Sequence, residues 1–364
     1  MLKSSHSKKE ATVMSQRFKS EKVFAALKKA AAVISVFSLA LSFAGCAKKE
    51  SAAGGAKFGK INIPGLDGSL CGAPIYIAYE NGYFTEEGFD VTLISADTET
   101  RKIGLNNGTI PIVNGDFQFF PSMEQGVNTV VVDKLHDGCI KIVVRLDSNI
   151  KSPEDLKGLK IGVDEVGGTP HQVASVWLEN AGISARQEDH QVEFLPFADG
   201  NLELEALYKG DLDAAAMWDP LASVAEKAGK VKVILDITKD EPFAGKACCF
   251  LYASKVLYEK NPEEVAALLR AYRKAQDFIN KNPEKAVDII IKGKYSQIED
   301  KELAVQLISS YNYPSFEQRS AGVFNVKEDV HYFAQQLFDI GYLKTDADTY
   351  TSKYFVDVNV DGKK

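Results

Sequence analysis

The sequence lacks an apolar run long enough to span a membrane. Its longest uncharged apolar stretch, residues 30–45, has sixteen residues, whereas a spanning helix needs about 20. Cysteine, tryptophan and histidine are scarce, with five, two and five residues among 364. With 45% hydrophobic and 26% charged residues, the composition is that of a globular protein and excludes a disordered chain, a collagen-like repeat and a coiled coil.

The first 45 residues have the pattern of a secretion signal. Lys28 and Lys29 precede the apolar stretch, and Gly45 ends it. A basic segment, a short apolar core and small residues before the cleavage point are typical of such leaders. A buried N-terminal helix would need an amphipathic spacing that this run lacks. We therefore expect residues 1–45 to be a signal peptide and residues 46–57, which are small and polar, to form a flexible tether.

Charge and length restrict the partners of the exported part. Removal of the leader leaves 319 residues, with 35 basic and 48 acidic side chains and a net charge of −13. This length suggests two domains. So acidic a surface repels nucleic acid, and the sequence has no basic stripe with interleaved aromatic residues. No nucleic-acid partner is expected.

Common catalytic and metal motifs are absent from the sequence. The cysteines after the leader region are Cys46, Cys71, Cys139, Cys248 and Cys249. The last four fit neither a disulfide scaffold nor a CxxC zinc site. There is no Walker A, GxGxxG, GxSxG or HExxH motif. We therefore expect no metal, no cofactor and no catalytic residue.

Short strand patterns alternate with helical patterns between residues 60 and 235. This alternation is typical of α/β sheets with crossover helices. After Phe250 the pattern becomes helical: Asn261, Pro262 and Glu263 form a helix start signal, and apolar side chains then recur on one helical face. Residues 282–284 repeat this start signal, and residues 301–310 and 326–340 are also predicted to be helical.

Residues 41–46, Leu-Ser-Phe-Ala-Gly-Cys, resemble a bacterial lipobox. Phe43 stands where that motif usually has an aliphatic residue. In lipoproteins the cysteine after the small pair is lipidated and becomes the new N-terminus. The resemblance implies that Cys46 anchors an exported protein to the outer face of the bacterial cytoplasmic membrane.

Three segments resemble the solute-binding proteins of ABC importers for taurine, alkanesulfonates and nitrate. They are residues 72–91, which begin Gly-Ala-Pro-Ile-Tyr-Ile-Ala-Tyr-Glu-Asn-Gly-Tyr-Phe; residues 150–163, Ile-Lys-Ser-Pro-Glu-Asp-Leu-Lys-Gly-Leu-Lys-Ile-Gly-Val; and residues 215–220, Ala-Ala-Met-Trp-Asp-Pro. The resemblance implies an α/β, two-lobed periplasmic-binding-protein type II fold. Each lobe is then a mixed or parallel sheet flanked by helices, with the ligand in the cleft between the lobes.

The same resemblance implies where the lobes begin and end. Lobe 1 would comprise residues 58–147 and 250–364, and lobe 2 residues 148–249. The chain would cross between them near residues 145–150 and 247–252. The helical C-terminal part would complete lobe 1.

The implied function is that of a binding protein and not an enzyme. A monomer would capture a small solute and deliver it to the membrane subunits of an ABC permease. A small oxyanion such as a sulfonate, taurine or nitrate is the favoured solute, and a thiamine-pyrimidine-like precursor is the alternative. Cys248-Cys249-Phe250 also resembles part of the Cys-Cys-Cys-Phe-Cys signature of the eukaryotic thiamine-pyrimidine synthase, which leaves an enzyme as a third hypothesis. We favour the interpretation that these are small apolar residues at a hinge strand.

Ligands of open α/β sheets bind beyond the carboxyl ends of strands, where helix N-termini expose backbone N–H groups. Four loops are predicted at such junctions: residues 67–72, 114–118, 166–171 and 218–219. The candidate ligand-binding residues are those of the loops and one histidine after a strand: Ser69, Leu70, Cys71, Asp116, Phe117, Gln118, His136, Gly168, Thr169, His171, Trp218 and Asp219. The loops contain no arginine, so a bidentate contact to an anion is not expected.

Overall fold

The computed structural model describes residues 56–66 and 68–361 of the chain. The predicted signal peptide, the predicted lipidation site Cys46 and most of the predicted tether lie outside the described residues. Within the part that is described, no helix is both long and apolar enough to cross a bilayer.

Strands and helices alternate through the first two thirds of the described chain. The strands are β1 (Gly59–Pro64), β2 (Phe89–Ile94), β3 (Ile112–Asp116), β4 (Thr129–His136), β5 (Ile140–Arg145), β6 (Lys160–Val163), β7 (Glu193–Pro196), β8 (Ala214–Trp218), β9 (Val231–Asp236) and β10 (Cys249–Ser254). The helices of this part are α1 (Ala73–Glu80), α2 (Tyr83–Glu86), α3 (Thr98–Asn107), α4 (Phe119–Glu124), α5 (Thr169–Asn180), α6 (Gly200–Lys209) and α7 (Leu221–Lys227).

The last third of the described chain is helical, as predicted. Its helices are α8 (Lys255–Lys260), α9 (Pro262–Lys281), α10 (Pro283–Gly293), α11 (Lys301–Ser310), α12 (Phe316–Ser320), α13 (Val326–Asp339) and α14 (Ala347–Tyr354). Helix α9 begins at the predicted signal, with Pro262 in its first turn followed by two glutamates. Tyr350 in α14 donates a hydrogen bond to the backbone carbonyl of Phe120 in α4. The helical part therefore packs on elements from the start of the chain.

The strands form three sets. Strands β1 and β2 are a parallel pair, and β10 lies between β3 and β4, antiparallel to both. The third set is a five-stranded mixed sheet in the order β7-β6-β8-β5-β9. In it β6 is parallel to both neighbours, whereas β5 is antiparallel to β8 and β9.

Strand β5 corrects the predicted lobe boundary. Lobe 1 was predicted to reach residue 147, but β5 pairs with β8 and β9 of the five-stranded sheet. The chain therefore leaves the three-stranded sheet after His136 and enters the five-stranded sheet at Ile140. It returns between β9 and β10, which overlaps the predicted second crossing. The apolar pattern of β5 suits either sheet, because the three-stranded sheet also contains a strand, β4, that is buried on both faces.

Both faces of the five-stranded sheet are covered. Alternate residues of β5 and β8, such as Ile142 and Ala216, face the larger apolar core. Val143 and Ala215 point the other way, into a smaller core that includes Leu207 of α6. This strict alternation follows from the two-residue period of a strand.

Candidate functional site

The carboxyl end of β3 carries a buried aspartate. Asp116 is the last residue of β3 and is 5% exposed. Its Oδ1 accepts a 3.0 Å hydrogen bond from the backbone N–H of Gln118. Burial raises the pKa of Asp116 to about 7, and the nearby Cys248 and Asp164 add to this rise. The predicted loop 114–118 is corrected, since β3 continues to Asp116 and only residues 117 and 118 follow it.

The N-terminus of α5 lies close to this carboxyl group. Gly168 is the N-cap residue, and Thr169, the first helical residue, is fully buried. The Thr169 hydroxyl lies near enough to lower the pKa of Asp116, yet it has no hydrogen-bond partner among the described residues. A side chain at Gly168 would place its Cβ 2.6 Å from Glu165 Cγ. Any larger residue at this position would therefore require the side chains of Glu165 and Asp164 to move.

A third contributor comes from the end of β8. Trp218 is half-buried, and its indole Nε1 donates a 2.9 Å hydrogen bond to Oδ2 of Asp164. Burial raises the pKa of Asp164, and the Trp218 indole opposes this rise. Because Asp164 in turn raises the pKa of Asp116, the two carboxyl groups are neighbours. Three of the four predicted loops thus meet, and Asp164, which the sequence analysis missed, joins them.

A cavity adjoins these residues. Gln118, two residues after Asp116, and Gly167, two residues before Thr169, both line a space of about 490 Å³. Lys102 of α3 also lines this space. This volume lies within the range of small-molecule sites, about 300–1,000 Å³. Residues from two of the three loops, those after β3 and before α5, therefore line a space large enough for a small solute.

Two other predicted residues are core residues. The side chains of Leu70 and Phe117 are fully buried, and the Phe117 ring stacks on Phe333 with centroids 4.3 Å apart. The neighbouring Ser69 is partly exposed, and its carbonyl accepts a hydrogen bond from the hydroxyl of Tyr76. Core packing, and not contact with a solute, therefore explains why Leu70 and Phe117 are apolar.

Asp219 forms a buried ion pair. Nζ of Lys141 lies 2.5 Å from Asp219 Oδ2, and the hydroxyl of Ser223 donates to Oδ1 at 2.6 Å. Burial raises the pKa of Asp219, while Lys141 opposes the rise. Because Lys141 neutralises Asp219, this carboxylate does not oppose the binding of an anion.

His171 lies against a different cavity. Its Nδ1 accepts a 2.8 Å hydrogen bond from the backbone N–H of Gly167. The same nitrogen lies 2.8 Å from the hydroxyl of Tyr342. The ring meets Phe194 edge-on, and it lines a space of about 940 Å³ on that side. Burial lowers the pKa of His171 to about 4. At neutral pH it is therefore uncharged and supplies no positive charge for an anion.

Five soft ligand residues meet where the chain passes between the two larger sheets. Cys71 precedes α1, His136 ends β4, Cys139 precedes β5, and Cys248 and Cys249 lie at the start of β10. All five are buried, and the four thiols are free. Hydrogen bonds with Cys139 and Cys249 lower the pKa of the Cys71 and Cys248 thiols. We call these five residues the cysteine–histidine cluster; two of them, Cys71 and His136, are predicted ligand-binding residues.

Comparison with known proteins relates this geometry to a family. The family described as NMT1/THI5 like matches residues 72–286, more than half of the chain. YtlA of Bacillus subtilis (strain 168), which is named as a binding protein, is 24% identical over 273 residues, 73% of this chain and 77% of YtlA. An Escherichia coli (strain K12) protein named as an aliphatic sulfonates-binding protein is 29% identical over 151 residues, 42% of this chain and 44% of that protein.

A solved structure shows the same fold. The crystal structure of the periplasmic aliphatic sulphonate binding protein SsuA from Escherichia coli matches with a TM-score of 0.64 at 18% identity, over 84% of this chain and 94% of SsuA. This likeness confirms the predicted α/β fold of the periplasmic binding proteins. From the family match over residues 72–286, the chain belongs to the NMT1/THI5-like family.

Proposed function

We propose that this chain is the solute-binding protein of an ABC importer, and not an enzyme. One observation carries the proposal: Asp116, at the end of β3 in the three-stranded sheet, lies near Thr169 and Asp164 of the segment that follows β6 in the five-stranded sheet. Trp218 of β8 donates a hydrogen bond to Asp164. A site shared by two sheets, which the chain joins by two crossings, is suited to closing on a small molecule by a hinge motion. The names of YtlA and of the sulfonate-binding relative support the same role.

The charges of the site favour a zwitterionic solute. The N-terminus of α5 carries roughly half a positive charge and free N–H groups, which suit a sulfonate. Asp116 and Asp164 oppose an anion but suit an ammonium group. No arginine lies in the predicted loops to outweigh them. Among the predicted oxyanions, an aminosulfonate such as taurine therefore fits both ends of the site, whereas nitrate and simple alkanesulfonates fit only one.

A thiamine-pyrimidine-like precursor is the second candidate. The half-buried indole of Trp218 offers a surface on which an aromatic ring can stack. Asp116, with its pKa raised to about 7, can donate or accept a hydrogen bond near neutral pH. A neutral aminopyrimidine would use these groups without needing a cation.

We further propose that the protein works outside the cytoplasm. After removal of residues 1–45, a lipid on Cys46 would hold it at the outer face of the bacterial cytoplasmic membrane. A monomer would then hand its solute to the permease subunits, with the tether giving it the necessary reach. The acidic surface leaves nucleic acid without a role as partner.

A thermal-shift panel tests the solute. The panel contains taurine, ethanesulfonate, nitrate and an aminopyrimidine of the thiamine type; ethanesulfonate is the matched ligand without an ammonium group. A ligand at a hundred times its dissociation constant adds about 2.7 kcal/mol of stability. We expect taurine to shift the melting temperature most. The variant Asp116→Asn should reduce its advantage over ethanesulfonate, and the exposed control Asp90→Asn should preserve it.

Other results separate the alternatives. If only the aminopyrimidine raised the melting temperature, a thiamine-pyrimidine-like precursor would replace taurine as the proposed solute. Chemical turnover of any panel member would contradict a purely binding role.

A further inference from the structure

The cysteine–histidine cluster gathers ligands that are far apart in the sequence. It forms two overlapping triads, one of Cys71, His136 and Cys139, the other of Cys139, Cys248 and Cys249. Within each triad the ligand atoms, thiol sulfurs or a ring nitrogen, lie within 4.8 Å of one another. Cys139 belongs to both. The fold therefore brings together four thiols and an imidazole from three separate segments.

The spacing of the sulfurs suits a metal ion and not a disulfide. Sγ of Cys248 and Sγ of Cys249 are 4.0 Å apart. Around a tetrahedral ion with metal–sulfur bonds of about 2.3 Å, neighbouring sulfurs lie about 3.8 Å apart. A disulfide would need about 2.0 Å. Small inward movements of the thiols would complete a metal site, whereas a disulfide would require much closer approach.

His136 supplies an independent observation. It is fully buried, and among the described residues neither ring nitrogen makes a hydrogen bond of standard geometry, although the Cys71 thiol lies close enough to raise the pKa of His136. The rings of Tyr311 and Tyr313 pack around the imidazole, with centroids 5.6 Å from its own. A buried polar nitrogen without a partner is costly and calls for an explanation. A bond to a metal ion would give one of the two nitrogens its partner.

We propose that the cysteine–histidine cluster binds a thiophilic divalent metal ion of the Zn²⁺ class. Thiolate and imidazole are the ligands that Zn²⁺ prefers. All five residues are buried, so the site is closed, as structural zinc sites are. Its ligands come from both crossings between the sheets and from the loop before α1. The ion would fix these three segments to one another at the base of the solute site.

The test uses cobalt as a spectroscopic probe. The full-length chain is purified under reducing conditions, freed of metal with a chelator and titrated with Co²⁺ alone, then with Zn²⁺. We expect about one ion per chain, a sulfur-to-cobalt charge-transfer band, and the strong visible bands of tetrahedral coordination. Zn²⁺ should displace Co²⁺ and raise the melting temperature.

Matched variants locate the ion. Cys139→Ser removes the ligand that both triads share and should weaken Co²⁺ binding by more than the roughly 10–100-fold that loss of an outer-shell partner costs. His136→Ala should also weaken it. The controls are Cys46→Ser, which removes the one cysteine outside the cluster, and His331→Ala, which removes an exposed histidine paired with Asp348. Both should bind Co²⁺ like the natural chain.

Three results would overturn the proposal. They are the lack of a sulfur-to-cobalt band in the natural chain, an unchanged band in Cys139→Ser, and disulfides among the four thiols in the protein isolated without reductant. If circular dichroism shows that Cys139→Ser does not fold, the Co²⁺ titrations of the natural chain and of His136→Ala still test the metal site. Solute binding is measured separately, so failure of the metal site and failure of the proposed function give different results.

Discussion

Trp218 and Asp164 are joined by a hydrogen bond of 2.9 Å between the indole Nε1 and Oδ2 of the carboxylate. The bond connects the end of β8 with the loop that leads into α5. It fixes the indole on Asp164, the carboxyl group that neighbours Asp116. A solute that enters this site therefore changes the surroundings of the indole, or competes for its partner.

Tryptophan fluorescence should report solute binding. The chain has two tryptophans: Trp218 at the site and Trp177, which lies in α5 and is 8% exposed. We expect taurine to change the emission of the natural chain and of Trp177→Phe. The same titration of Trp218→Phe should leave the emission unchanged. A signal that disappears in Trp177→Phe and persists in Trp218→Phe would place the solute elsewhere.

The Lys141–Asp219 ion pair should be important for stability. Both side chains are almost completely buried, and breaking such a pair leaves an uncompensated charge, which costs about 3–5 kcal/mol. We expect Lys141→Met to lower the free energy of unfolding by about that amount in urea titrations. Lys227→Met breaks an exposed pair with Asp300 and should cost no more than about 1 kcal/mol. Equal losses in the two variants would refute the assigned role of Lys141.

Buried Glu203 should make stability depend on pH. Burial, with a smaller contribution from Asp164, raises its pKa from 4.5 to about 8. A carboxyl group with a raised pKa favours the folded state below its unfolded pKa, and this contribution is lost as the pH rises through the folded pKa. The relevant window is therefore about pH 4.5 to 8.

Glu203→Gln removes this dependence because glutamine does not ionise. At pH 9 the variant should be more stable than the natural chain by a few kcal/mol, since each pKa unit corresponds to about 1.4 kcal/mol. At pH 4 the two should differ little. Glu205→Gln, at an exposed position of the same helix, is the control and should follow the natural chain. If the free energy of unfolding of Glu203→Gln varied with pH in the same way as that of Glu205→Gln, Glu203 would not titrate in this way.

Membrane fractionation tests the anchor. If Cys46 carries a lipid, the natural chain produced with its leader in a bacterial host should sediment with membranes. Cys46→Ala should appear in the soluble extracytoplasmic fraction. Membrane association that is unaffected by this change would exclude Cys46 as the anchor.

Local patterns predicted much of the fold. The start of α9 at Pro262 and the alternation of strands and helices between residues 60 and 235 could be predicted, because a helix start and a buried strand depend on neighbouring residues. The sheet to which β5 belongs could not be predicted. A three-residue connection from His136 to Ile140 looks like a hairpin, and the partners of β5 lie some seventy residues or more further along the chain. Pairing over such a distance leaves no local pattern.

The site was predicted less well, for a related reason. The rule that loops follow strand ends found Asp116, Thr169 and Trp218, which the structure brings together. It missed Asp164, which directly follows β6, because the loop was taken to begin at Val166. Charge partners and shared ligands could not be predicted either. Lys141 lies in β5 and Asp219 directly follows β8, and the members of the cysteine–histidine cluster come from three segments.

Native mass spectrometry of the full-length chain tests the central claim most directly. The chain is measured as purified, and after incubation with taurine, ethanesulfonate, nitrate and the aminopyrimidine. We predict one solute molecule per folded chain, lost when acid unfolds the protein, with taurine bound in preference to ethanesulfonate. A folded chain that carries no solute as purified, and forms no complex with any member of the panel, would contradict the account.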